Sequence, residues 1–458
     1  MRSRRYGVVL GALLSACQSW GVHPLEGSLI PVLPGVPIPD RWSRTENTAD
    51  HDPGSLSAWW QHFGDATLSA LIDRAVREST DMAVAEAHLQ QARALRDLAG
   101  ANLSGYVNAG VVARSARPSY AATLNTYQAG LDASWEPDLF GARRQAWSAG
   151  EAELLARTLT LADTRVSISA EVALAYIQLR GVQQRQAAAR SNQMRLHVLR
   201  DLAAPGAELD RERVRAALAL SGADLAELTL SRAQLEHSLA ALCGMAPQAL
   251  ALELAFHVPV PQAAYGLALS LPADTLRQRP DVRSAAARVE AAVARLGEAD
   301  AARKPLVRLE GSIGLHGIGV GGAGGVLRGL LGSVSGVAFD GGAARAQVAA
   351  QQGSVLESYA YYRGAVLLAL REVEDALVSV QAARDRLSAL REAVDAAQSA
   401  AGLARRDYQS GERDMELALA TQQVLFHSED ELARAAVADS AAYVRLYKAL
   451  GGGWQPEH

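Results

Sequence analysis

Three kinds of residue in this 458-residue chain could do chemistry: a glycine run, ten scattered histidines and two cysteines. Gly319-Val320-Gly321-Gly322-Ala323-Gly324 spells GxGxxG, a pattern that lets backbone approach a pyrophosphate at the start of a helix. Gly329 and Gly332 follow it and make a poor helix, so a dinucleotide site is not expected. His62, His88 and His197 could ligate a metal, yet no HExxH spacing is present, and each reads more simply as a solvated helix residue. There is also no strand, nucleophile and helix signature of a hydrolase. No enzyme, cofactor or metal site is therefore expected. A net charge of −4 gives no sign of nucleic-acid binding, and Cys17 with Cys243 cannot build a disulfide framework.

Cys17 has a different chemistry. Arg2, Arg4 and Arg5 precede a short apolar stretch, Gly7 to Leu14, and then Leu14-Ser15-Ala16-Cys17. This resembles a bacterial lipobox, which implies that residues 1–16 are a signal peptide and that Cys17 becomes a lipidated first residue. Gln18 in the next position implies sorting to the outer membrane. Residues 17–58, with PVLPGVPIPD at 31–40, read as an extended tether.

The elements behind these residues are strands joined to very long helices. Tyr127, Ala129, Leu131, Ala133 and Trp135 alternate with Gln128, Asp132 and Ser134, followed by Glu136, the period of a strand with one apolar face. A first strand from Leu103 places Val107 and Val111 on such a face, with a turn near Arg117-Pro118-Ser119. A third, with Val307, Leu309, Ile313 and Leu315, is followed by a poorly alternating fourth from about Leu327 to Phe339. The expected lipid-facing residues are Val107, Val111, Leu131, Trp135, Ile313 and Leu315, with Gln128, Asp132 and Glu136 lining water. Four strands cannot close a barrel, and an open sheet cannot sit in lipid with bare edges, so membrane entry requires several chains. From Leu139 to the next proline, Pro205, the composition predicts one helix of about 60 residues.

The body is a duplication. An amphipathic helix from Leu68 to Gly100 corresponds to one from Leu271 to Lys304, with Asp81 matching Asp281 and Ala92 matching Ala292. The first repeat spans 59–262, with a hairpin at about 103–138 and a helix pair at about 139–245. The second spans 263–450, with a hairpin at about 305–340 and a helix pair at about 342–450; 451–458 is a tail. Tips are expected near Ala204-Pro205-Gly206 and Ser410-Gly411. Val366, Leu370, Val373, Leu377 and Val380 step by four and three, the spacing of coiled-coil packing.

Several segments together carry a family resemblance: Trp59-Trp60 with Phe63 and Asp65, Gly130 to Glu136 with Asp138-Leu139-Phe140-Gly141, Arg279-Pro280-Asp281-Val282-Arg283, Phe339-Asp340-Gly341-Gly342, and Tyr408 with Gly411. The sequence resembles the TolC-like outer-membrane efflux proteins, in the NodT-like lipoprotein branch that serves RND-type pumps. The resemblance implies a mainly α fold with membrane β strands, and a homotrimer sharing one twelve-stranded barrel over a helical periplasmic tunnel. It further implies a periplasmic adaptor protein, an inner-membrane RND-type pump, and passive passage of drugs or other small toxic compounds. Tyr408 and Gly411 match the family's Tyr-x-x-Gly turn at the tunnel entrance, and Arg413 falls where a basic residue is common. Leu417 and Ala420 stand where the family has acids, leaving Asp414 and Glu416 as substitutes. Glu208, Asp210 and Arg211 are the charges of the first tip, and all these residues serve gating or adaptor contact. The hairpin at 311–336 departs from barrel strands by holding eleven glycines. Two other readings stay open: a coiled-coil structural lipoprotein tethered in the periplasm without insertion, and the exit duct of a type I protein secretion system.

Overall fold

The computed structural model describes residues 35, 38–43, 54–117, 123–203, 207–263, 272–318 and 324–454. Cys17, most of the tether, the turns at 118–119 and 204–206, and the second hairpin's tip at 319–323 lie outside the described residues.

One order of elements occurs twice. A short helix α1 (Gly54–Ser57) and a 3₁₀ turn (Trp59–Phe63) lead to α2 (Ala66–Glu78), α3 (Thr80–Ala101), β1 (Tyr106–Ala116), β2 (Leu124–Trp135), α4 (Ala142–Leu202) and α5 (Glu208–Leu242). The second pass is α6 (Pro272–Gln278), α7 (Pro280–Ala301), β3 (Leu306–Ile318), β4 (Gly324–Ser335), α8 (Ala343–Ser410) and α9 (Met415–Ala449). Helices α4 and α8 run for 61 and 68 residues. At about 1.5 Å per residue they are rods of roughly 90 and 100 Å. Helix α4 is the central strut, in contact with α3, α5, α7 and α9.

Two expectations from sequence need correction. The helix read from Leu68 to Gly100 is broken at Ser79, which is extended (φ −67°, ψ 146°), and whose hydroxyl accepts a hydrogen bond from the Met82 N–H at 3.2 Å. Its counterpart from Leu271 to Lys304 breaks at Arg279, because a residue before proline is pushed out of the helical region. In both, the apolar stripe continues across the break and conceals it. The fourth strand begins at Gly324 and ends at Ser335, so Phe339 lies beyond it and is exposed. Glycines paired across the hairpin, such as Gly317 with Gly324, carry no side chain to show alternation.

The main core lies near the middle of α4. Trp59 stacks on Tyr447 at 5.3 Å between ring centres, and Trp60 and Phe63 pack edge-on against Trp59. Asp65 caps α2 by accepting from the Leu68 N–H at 2.9 Å, and also accepts from the Tyr176 hydroxyl at 2.8 Å. Burial and that bond to Asp65 push Tyr176 up to about 12. The Trp-Trp, Phe and Asp residues of the sequence pattern therefore fix the 3₁₀ turn and α2 onto α4 and α9.

Arg279 does comparable work for the second repeat. Its guanidinium is buried and grips Asp281 with both arms (3.0 and 2.7 Å), reaches Glu372 on α8 at 2.8 Å, and donates to the Ala449 carbonyl at the end of α9 at 2.9 Å. One residue thus ties α7, α8 and α9, using the fork geometry that lysine lacks. Close to this group, burial and the negative charge of Asp281 push Asp163 up to about 6.

Two outcomes follow from these buried charges. Arg279→Ala leaves the Ala449 carbonyl and the half-exposed carboxylates of Asp281 and Glu372 without their partner and should cost about 1–3 kcal/mol, read as a lower urea midpoint. For Asp163 the folded pKa lies above the ordinary carboxylate value of 3.8. Its stabilising contribution is present below about pH 4 and is lost as pH rises through about 6. Asp163→Asn should therefore exceed the parent in thermal stability at about pH 8, by ~1–3 kcal/mol, and converge with it near pH 4.

Candidate functional site

The four strands form one antiparallel sheet in the order β1-β2-β3-β4. Its register aligns Val107 with Ala133 and Gly311, Leu131 with Ala109 and Ile313, and Val111 with Ala129 and Leu315. All six expected lipid-facing residues (Val107, Val111, Leu131, Trp135, Ile313 and Leu315) thus share one face, and every one is exposed in the single chain. Asn108, Asp132 and Ser312 pair on the opposite face, as do Gln128 and His316. The glycine-rich hairpin is fully paired from Leu306–Ser335 to Gly317–Gly324. The GxGxxG pattern therefore lies between two antiparallel strands, which removes the strand–helix context a dinucleotide would need. Strands β1 and β4 are the sheet's two edges.

Each hairpin passes into its rod through the same device. Asp138 accepts from the Arg143 and Arg144 N–H groups at 3.2 and 2.9 Å, and Asp340 accepts from those of Gly342 and Ala344, both at 2.8 Å. Burial pushes Asp138 up, but those two N–H donors outweigh it and hold the carboxyl below its ordinary value. Gly141 (φ 84°) and Gly342 (φ 94°) take the left-handed turn that opens α4 and α8, a conformation side chains resist. Glu136, expected to line water, instead has a largely covered side chain just past the end of β2; it bonds both Arg143 and Arg308, the latter at 2.9 Å through Nε, and so pins β3 to the start of α4.

At the far end the two helix pairs meet. Tyr408 packs against Leu196, Leu199, Val214, Met415 and Ala418. Gly411 (φ 78°) closes α8, and its N–H donates to the Tyr408 carbonyl at 3.1 Å. Asp414 stands at the start of α9, and Arg413 is exposed beside it. Glu208 pairs with Arg211 inside α5 at 2.9 Å. Asp210 and Glu416 are brought together by Arg213, at 3.9 and 3.0 Å, so one residue of α5 bridges to α9. Arg213 had no part in the sequence reading, because only the packed tips make it a link. Leu417 and Ala420 are exposed.

Above the tips, α9 is fastened to α4 by a ladder. Gln422 donates to Asn192 at 2.9 Å, Arg195 binds Glu429 through both arms at 3.1 and 2.5 Å, and Arg185 binds Asp430 at 2.6 Å. Burial pushes Asp430 up, yet the bonds from Arg185 and Arg434 prevail and hold it below the ordinary range. Glu429 interrupts the apolar residues along α9, and its partner Arg195 on α4 accounts for the interruption. Asp439, the other interruption, is buried on α9, and burial pushes its carboxyl up.

The histidines do not converge. His62 lies 3.1 Å from the Tyr447 hydroxyl, while His88 and His197 are exposed on α3 and α4. Among the described residues no group of three metal-ligating side chains occurs, and no helix is long and apolar enough to cross a membrane. Cys243 is buried and directs its thiol to the Leu71 carbonyl at 3.7 Å.

A sheet with one apolar face, set on paired helical rods, defines an outer-membrane channel of TolC-like architecture. The family model described as "Outer membrane efflux protein" matches residues 71–245 and 271–452, and the chain belongs to that family. It is 29% identical to the pyoverdine export outer membrane protein OpmQ of Pseudomonas aeruginosa, covering 97% of both chains. It is 28% identical to the Nodulation protein T of Rhizobium leguminosarum bv. trifolii, covering 92% of this chain and 93% of that one. The solved structure of the outer-membrane channel OprN superposes with a TM-score of 0.84 at 32% identity, over 94% of this chain and 100% of that one. The family is one of channels, not of enzymes.

The junction supplies a direct check. Asp138→Ala removes a cap from α4 and should lower stability by about 0.5–2 kcal/mol in thermal unfolding. An unchanged midpoint would show that Gly141 and the Glu136 pairs hold the junction without it.

Proposed function

We propose that this outer-membrane efflux channel is the passive exit duct of a tripartite pump, working as a homotrimer whose strands form one twelve-stranded barrel. Drugs or other small toxic compounds leave through it, driven by an RND-type pump in the inner membrane and delivered through a periplasmic adaptor. The observation that carries this reading is the sheet with two open edges and one continuous apolar face. Antiparallel pairing of β4 with β1 of the next copy satisfies both edges, and three copies make a ring of ordinary barrel size. The opposite face, with Asn108, Gln128 and Asp132, then lines water. The rods continue the passage into the periplasm, and acyl chains on Cys17 add a second attachment to outer-membrane lipid.

The tip is the closing end. Tyr408, Gly411, Arg413, Asp414 and Glu416 of the second pair, and Glu208, Asp210 and Arg211 of the first, lie at the entrance and serve gating or adaptor contact. The Arg213–Glu416 pair and the ladder from α4 to α9 hold the second helix pair against the first, and widening the entrance requires some of these bonds to break. An exposed ion pair contributes only about 0–1 kcal/mol to stability, so its loss can shift the gate without unfolding the rods.

The test is conductance in planar bilayers. The double variant Arg213→Ala with Glu416→Ala, and separately Arg413→Ala with Asp414→Ala, should each raise conductance while the unfolding midpoint moves by less than about 1 kcal/mol. Unchanged conductance in both well-folded variants would remove these residues from the gate. Absence of any conductance from the parent would remove the duct.

A further inference from the structure

The apolar face of the sheet carries one charge. From the register, that face comprises Val107, Ala109, Val111 and Ala113 of β1, and Tyr127, Ala129, Leu131, Ala133 and Trp135 of β2. It continues with Leu309, Gly311, Ile313, Leu315 and Gly317 of β3, then Gly324, Val326, Arg328, Leu330 and Gly332 of β4. Arg328 pairs with Ile313, which pairs with Leu131, which pairs with Ala109. It is the only charged residue on this face among the described residues, and its side chain is exposed. The other charges of the strands, Arg114, Asp132, Arg308 and Glu310, lie on the opposite face.

An arginine facing lipid is expensive at mid-depth, about 2–4 kcal/mol, and nearly free close to the interface. Arg328 lies four residues from Gly324, the outer end of β4, or about 13 Å along the strand and roughly 10 Å in height once a barrel strand is tilted. A guanidinium on its long stem can rise from there to the headgroup level. No carboxylate awaits it on the next chain either. In a closed ring β4 would meet β1, and the face of β1 offers only Val107, Ala109, Val111 and Ala113 near that depth.

The surface above Arg328 is shaped to leave room. Gly317 and Gly324 pair with no side chains between them, and Tyr127 stands beside Gly317 in the same row with its ring exposed. Bare backbone next to an exposed aromatic suits the flat face of a sugar, and Leu315 with Val326 below suits acyl chain. We propose that Arg328, Tyr127 and the Gly317–Gly324 pair form a site for a phosphorylated glycolipid of the outer leaflet, Arg328 binding its phosphate. The site anchors the second hairpin, which has no aromatic residue among its described strand positions. A phosphate monoester carries up to two negative charges with no tethered ammonium to neutralise them, which favours this ligand over a zwitterionic headgroup as a partner for arginine's fork. This proposal rests on the reading of the sheet as membrane-inserted.

The test uses the full-length oligomer in phosphatidylethanolamine vesicles doped with bisphosphorylated lipid A, with the same glycolipid stripped of its phosphates, or with phosphatidylglycerol. Every form tested, the parent included, also carries Cys17→Ser, so that no acyl anchor floats it and flotation reports insertion, while native mass spectrometry reports lipid retained after extraction. The parent should float and keep the phosphorylated glycolipid. Arg328→Leu should float equally and retain about tenfold less, Arg328→Lys should fall between, and Arg114→Gln on the opposite face should match the parent. Equal retention by Arg328→Leu overturns the site. So does equal retention of the stripped glycolipid or of phosphatidylglycerol, or displacement by millimolar inorganic phosphate. Failure of the parent to float would instead overturn membrane insertion itself, and the site with it.

Discussion

The backbone of two edge strands sets the constraint on which the rest depends. β1 and β4 each present a row of N–H and C=O groups with no strand partner among the described residues, on a sheet whose one face is apolar and exposed. In water such edges invite aggregation, and in hydrocarbon they cost several kcal/mol per unsatisfied group. A ring of copies removes both edges, so on the proposed reading oligomerisation is a consequence of hydrogen bonding before it is a matter of helix packing. The glycines of β3 and β4 reduce side-chain contacts on that ring but leave every ladder position paired from Leu306 to Gly317.

The rods answer a different requirement. A tunnel wall made of Ala-rich helices has little bulk with which to hold its shape, and the large side chains are concentrated at one level, around Trp59, Tyr176, Tyr443 and Tyr447. Arg279 ties α7, α8 and α9 beside that level, and further along the rods polar links join α4 to α9 through Asn192, Arg195 and Arg185. Hydrophobic packing fixes the middle, whereas the tip combines a small apolar cluster around Tyr408 with exposed ion pairs that salt or a partner can exchange.

Much of this was legible in the residues. Period-two alternation found the first three strands and their shared face but not the bounds of the fourth, and the proline-free Ala-rich run found α4 to within a few residues. Asp138 and Asp340 were visible only as residues that carry the family resemblance, and the structure shows both accepting from N–H groups at the start of a rod. Breaks at Ser79 and Arg279 were not legible, because a cap or a proline interrupts hydrogen bonding without interrupting the apolar stripe. Arg213, Arg185 and Arg195 were missed for another reason: their partners lie more than two hundred residues away, and only packing of one helix pair on the other brings them within reach. Arg328 was visible as a residue but acquired meaning only from the register, which placed it among Leu131, Ile313 and Leu330.

The central claim is that several copies of this sheet close one barrel in lipid. It is tested most directly by the mass of the particle extracted from purified outer membranes, for the parent and for Cys17→Ser. A trimer that still requires detergent after the anchor is removed is the expected result. A water-soluble monomer or dimer from Cys17→Ser would contradict it, since the hairpins would then never have entered the membrane.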